Sequence, residues 1–288
     1  MTTLSVHVPG SGTSLKSIYY RFKWRISITL FLVFIESLLG ILYPLFIGWA
    51  INDLINNQYD GIFLLTYLGL SSLILGSIRR FYDTRVYSDI YKKITPEMIQ
   101  RERSKGNTVS SISARTQLLT EFIEFFEDSM PGIIAAITGL IGILIIIYTL
   151  NHQVLLACLG LLLLMSFLYL ITAKLNYVFN ANFNDELEQQ VKVISKNDVK
   201  FLNHHLKQLM TWNIKLSDLE TLNYFFIWLG ALALLIYTPI TSVSNGIINY
   251  GLVLALLMYV YDYIEKITSL PLYIQQLIRL KEISERME

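Results

Sequence analysis

The chain has a single cysteine, Cys158, set inside an apolar run. It allows neither an internal disulfide nor a cysteine-based metal site. Histidine is almost as scarce, with four in 288 residues. His204 and His205 are adjacent, so on a helix they point about 100° apart and do not form a metal pair. His152, in a short turn, reads either as a proton sensor or as an exposed turn residue with no role. No His/Asp/Glu cluster has metal or acid–base spacing, so no catalytic or metal-binding residue is expected. Charged residues make up only 16% of the chain and the net charge is +1, which gives no footprint for nucleic acid. Residues 1–17, containing PGSGTS, lack the apolar core and small-residue cleavage site of a signal peptide. They are expected to be a disordered cytosolic N-terminus. A G-x-x-x-x-G-K-[ST] phosphate loop is also missing, and GSGTSLKS at 10–17 has the wrong spacing for one.

What the chain has in quantity is apolar sequence, at 53%, which points to an all-α polytopic membrane protein and excludes a soluble enzyme. Six segments approach the roughly 20 apolar residues of a spanning helix: 26–50, 61–79, 131–150, 153–173, 224–243 and 248–270. The second is short and the sixth carries charge near its end. Lysine and arginine fix the orientation. Four lie before the first span, nine in 79–131, six in the stretch between the fourth and fifth spans, and four at the C-terminal end. Those are all 23 in the chain. The turns NDLINNQYDG, NHQ and TSVSNG have none. Both termini and both long loops are therefore expected in the cytosol.

The stretch 79–131 is too polar for a membrane, yet apolar residues recur at helical spacing at Phe81, Val86, Ile90 and Ile94, then at Leu118, Phe122 and Phe125. Pro96 and the KGN at 105–107 predict a bend between two long helices. The second long loop, about 174–223, is also helical in period and breaks near Ser195–Asp198.

Four stretches resemble the membrane domain of ABC transporters with the exporter (type IV) fold: YPLFIGWAINDLI (43–55), the 79–131 loop with Gly106, GIINYGLVLALLMYVYDYIEKITSLP (246–271) and IRLKEISERME (278–288). The likeness covers residues 17–288. It implies a six-span domain over 18–288, a twelve-span homodimer or heterodimer around a central cavity, and coupling turns at Thr95–Arg103 and Asp198–His205. The coupling-loop candidates are Glu97, Met98, Arg101, Asp198 and Phe201. Where the family often has Arg and then Asp, this chain has Ser111 and Arg115. The sequence ends where the family's nucleotide-binding domain would start, so the expected drive is a separately encoded ATPase. ATP would then enter only through that partner, and no cofactor is expected in this chain.

Glu36 lies about ten residues inside the first span, with Tyr43 two turns along the same face. An ionised carboxylate there is costly. It reads as a proton-coupling or cavity residue, or as a protonated acid bonded to a neighbouring helix. Tyr259, Asp262, Tyr263 and Lys266 share one face of the sixth span, with Glu265 beside them. They read as a cavity patch, with Tyr259 and Asp262 as candidates, or as an interfacial anchor. Gly139 and Gly142 suit close helix approach. Three functions stay open. The first is an ATP-driven transporter subunit in the bacterial inner membrane, working by alternating access. The second is a proton-coupled carrier of peptides or similar solutes on the same fold. The third is a non-transporting partner or immunity protein.

Overall fold

The computed structural model describes residues 15–195, 198–244 and 249–287. The expected disorder of 1–17 falls mostly outside these residues, although helix begins at Leu15. Every described element is helical: α1 Leu15–Ile55, α2 Asp60–Ser104, α3 Val109–Glu124, a π-helical turn Phe125–Ser129, α4 Met130–Leu150, α5 His152–Ser195, α6 Val199–Ser244 and α7 Tyr250–Met287. Five continuous helices, over 18–55, 60–104, 109–150, 152–195 and 199–244, are long and apolar enough to cross a membrane. The sixth expected span lies in α7. It is helical, but Asp262, Glu265 and Lys266 dilute its apolar half.

Prolines do not interrupt these helices. Pro44, Pro96, Pro239 and Pro271 all lie inside helix. The expected bend at Pro96 is absent, and α2 runs on to Ser104. The turn falls at 105–108, over the KGN also expected to mark it, and Gly106 there has φ +77°. The Asn107 N–H donates to the Glu102 carbonyl (3.2 Å) and the Gly106 N–H to the Arg103 carbonyl (3.0 Å). This is the paired bonding of a Schellman stop, and glycine supplies its left-handed residue at no steric cost. Thr108 then caps α3, its hydroxyl accepting from the Ser111 N–H at 3.3 Å.

The helices form two compact units, Ile147–Ile247 and the rest of the chain. In the larger unit α1 packs on α2 and α7, and α3 packs on α2 and α7. Beyond the apolar sections these helices enclose a core of their own. It contains Ile18, Phe22 and Ile26 of α1, Val86, Tyr87, Ile90, Ile94 and Met98 of α2, Leu119, Phe122 and Ile123 of α3, and Ile283 of α7. The periodicity of α2 thus marks its buried face, except at Phe81, which is exposed. At the π turn the Met130 N–H reaches back five residues to the Phe125 carbonyl. The extra residue keeps Phe125 and Phe126 both in the core.

The smaller unit is a hairpin of α5 and α6. Val154, Cys158, Leu161 and Met165 are buried from α5, and Ile227, Ala231 and Leu234 from α6. Gly230 leaves room for Leu161, which a Cβ there would meet at 2.8 Å. Asn223 donates to Thr172 at 3.0 Å.

Candidate functional site

Glu36 and Arg79 meet because of hairpin register. α1 ends at residue 55 and α2 begins at 60, so each lies 19 residues from the turn, at the same depth. Arg79 Nε donates to Glu36, and its Nη1 donates to Asp83 Oδ2 at 2.8 Å. One guanidinium therefore serves two carboxylates. Gly76 lies under the same spot, where a Cβ would stand 2.9 Å from Glu36 Oε1. Glu36 is thus neither a lone carboxylate nor an acid bonded to a neutral partner. Tyr43, two turns along α1, is half-buried.

Nearer the short turns, α1 and α7 touch backbone to backbone. A Cβ on Gly48 would lie 2.5 Å from the Gly251 carbonyl oxygen, so no larger residue fits this crossing. Asn52 bonds Asn249, and its Oδ1 accepts from the Gly251 N–H at 2.9 Å. Further along, the Tyr259 hydroxyl donates to the Ile41 carbonyl at 2.8 Å. Tyr259 is fully buried, so it ties α7 to α1 and presents nothing to a cavity. Tyr263 is buried as well, Asp262 and Lys266 are half-buried, and Glu265 is exposed. Gly139 of α4 is the niche into which the Lys266 stem folds, its Nζ 2.9 Å from where a Cβ would be. Gly142 gives the same room to Ile41.

At the far end of α2, Glu102 gathers three donors while only 1% exposed: Lys105 Nζ at 2.9 Å, Asn107 Nδ2 at 2.5 Å and Arg115 Nη1 at 3.2 Å. Burial opposes its charge, but the hydrogen bonds from Lys105 and Asn107 and the positive charges of Arg115 and Lys105 outweigh it. The carboxyl is held below the usual carboxylate range. Arg115 thus has an acid on the preceding helix as its partner. Of the coupling-loop candidates, Met98 is removed as a contact point, because it is buried in the core between α1, α2 and α3. Glu97 is exposed and held by Arg21 in a two-pronged pair at 2.8 and 3.1 Å. Arg101 is half-buried in the last turn of α2. The span Thr95–Arg103, expected as a turn, is helix throughout.

In the smaller unit Asp198 caps α6, its Oδ1 accepting from the N–H groups of Lys200 (2.9 Å) and Phe201 (3.4 Å). Phe201 is exposed. His205 is buried with Nδ1 3.1 Å from Glu186 Oε1, and His204 is exposed. His152 is exposed beside Asn151, whose side chain caps α5. Among the described residues no His, Cys, Asp and Glu gather as a metal site.

Sequence reading missed Asp83, Arg79, Glu102 and the Gly48–Gly251 crossing. Equal distance from the hairpin turn was the available signal for Glu36 and Arg79. No comparable signal marks Glu102, which depends on where the Schellman stop falls.

These features are those of a membrane helix bundle with long polar helical extensions and no catalytic cluster among the described residues. No curated protein matches the chain. A family model described as the ABC transporter transmembrane region matches residues 15–249, most of its length. The chain belongs to the ABC transporter transmembrane-region family.

Proposed function

We propose that this chain is the non-catalytic membrane subunit of an ATP-driven transporter, with both termini and both long loops in the cytosol. The observation that carries the reading is the family match over 15–249. Two copies, or this chain and a related one, would enclose a central cavity that opens alternately to each side. α2 extends 25 residues past Arg79, roughly 37 Å at helical rise. Its packed core supports a stiff lever, which suits force transmission from an ATPase below. Glu97 and Arg101 on one loop, and Asp198 and Phe201 on the other, are the proposed docking positions. The bacterial inner membrane fits the lysine and arginine bias.

The second reading, a proton-coupled carrier, is favoured by the shared guanidinium of Glu36, Arg79 and Asp83. It ranks lower because Glu36 itself is committed to Arg79. A photo-reactive residue placed at Phe201, or at Glu97, in native membranes separates the two. The expected product is a cross-link to an ATP-binding polypeptide. Cross-links solely to a second copy of the chain would overturn ATPase docking.

A further inference from the structure

Midway along α2, around Arg79, negative charge exceeds what one guanidinium can offset. Asp83 is 4% exposed and only one of its oxygens is used, by Arg79. Its Oδ1 has no hydrogen-bond partner. Beside it stand the hydroxyls of Thr29 (0% exposed) and Tyr87 (1% exposed), close enough to interact but in no hydrogen bond of regular geometry. The charged and titratable groups facing Asp83 are Arg79 and Tyr87 on α2, Glu36 on α1, and Glu127 on the π turn. Three carboxylates, Asp83 buried and Glu36 and Glu127 half-buried, thus share the surroundings of one arginine.

Three oxygens are too few to replace the shell of a calcium or magnesium ion. A proton needs only one acceptor, and once bound it gives the carboxyl a donor for the neighbouring hydroxyls. Of the two acids that share Arg79, Asp83 is the more deeply buried, and its free oxygen is shut away from solvent. We propose that Asp83 is a proton-binding site, with the proton on Oδ1 directed at Thr29 and Tyr87. The reaction is simple addition: the carboxylate takes a proton from water and no other bond changes. Occupancy lowers the cost of a buried, uncompensated charge where α1, α2 and the π turn meet. The assignment holds whichever energy source drives the protein.

The test is infrared spectroscopy of the full chain in lipid bilayers, following the carboxylic-acid carbonyl stretch from pH 5 to 9. The expected result is a protonated-carboxyl band at neutral pH that titrates away as pH rises and is missing in Asp83→Asn. Glu36→Gln should retain the band but lose it at lower pH, because Asp83 then has Arg79 to itself. Tyr87→Phe should shift the band frequency, a readout that remains if Asp83→Asn does not fold. A wild-type protein with no such band at neutral pH overturns the proposal. So does a band that survives in Asp83→Asn, or one that Tyr87→Phe leaves unmoved.

Discussion

Glu102 holds the 105–108 turn twice over, through its main-chain carbonyl and through its carboxylate. Replacing it with Gln keeps the shape but removes the charge that draws in Lys105 and Arg115. Tryptic cleavage after Lys105 should then run at least ~5-fold faster, the equivalent of about 1 kcal/mol of local opening. The pH dependence follows from the lowered carboxyl. Its contribution is present above the unfolded carboxylate value of about 4.3 and is lost as pH falls through the lower folded value. Hydrogen-exchange protection of the 105–108 turn in the wild type, corrected for intrinsic exchange, should therefore fall on acidification through that window, and the Gln variant should show no such dependence. Ser111 and Arg115 stood out in the sequence only as departures from a family pattern. Their structural roles, a helix first turn and a partner for Glu102, required knowing where α2 stops. The KGN at 105–107 marked that point, while Pro96 suggested a second break, although it lies inside the helix on its exposed face.

At the scale of elements, the α1–α7 contact depends on two glycines and two asparagines. Gly251→Val should separate the helices and abolish monodisperse protein in detergent, whereas Tyr259→Phe removes one buried hydrogen bond and should cost about 0.5–1.5 kcal/mol in a thermal or denaturant melt. Equal effects from the two changes would mean that the crossing is not the tight point. Asp198→Ala should cost about 1 kcal/mol through loss of a helix cap, read as faster proteolysis near residue 198. The helices were legible in the sequence because apolar runs and helical periodicity are local properties. The pairing of Glu36 with Arg79 was legible only in part, since it depends on hairpin register. The burial of Met98 was not legible at all, because a methionine suits a docking face and a core equally well.

At the scale of the whole molecule, membrane residence was the most accessible feature, written in composition and in where lysine and arginine fall. In a Cys158→Ala background, a cysteine at Asn57 should react with a membrane-impermeant reagent in intact cells, and one at Ser195 should react only after the membrane is opened. The opposite pattern would invert the proposed orientation. The central claim is that this chain forms the membrane part of an ATP-driven machine, and the most direct measurement is ATP hydrolysis by the tagged chain purified gently from its native membranes. Hydrolysis should co-elute with the chain in a complex larger than two copies of it, and should weaken when Glu97 and Phe201 are both replaced by alanine. A chain that elutes without hydrolysis, yet takes up solute into liposomes under a pH gradient alone, would contradict that claim.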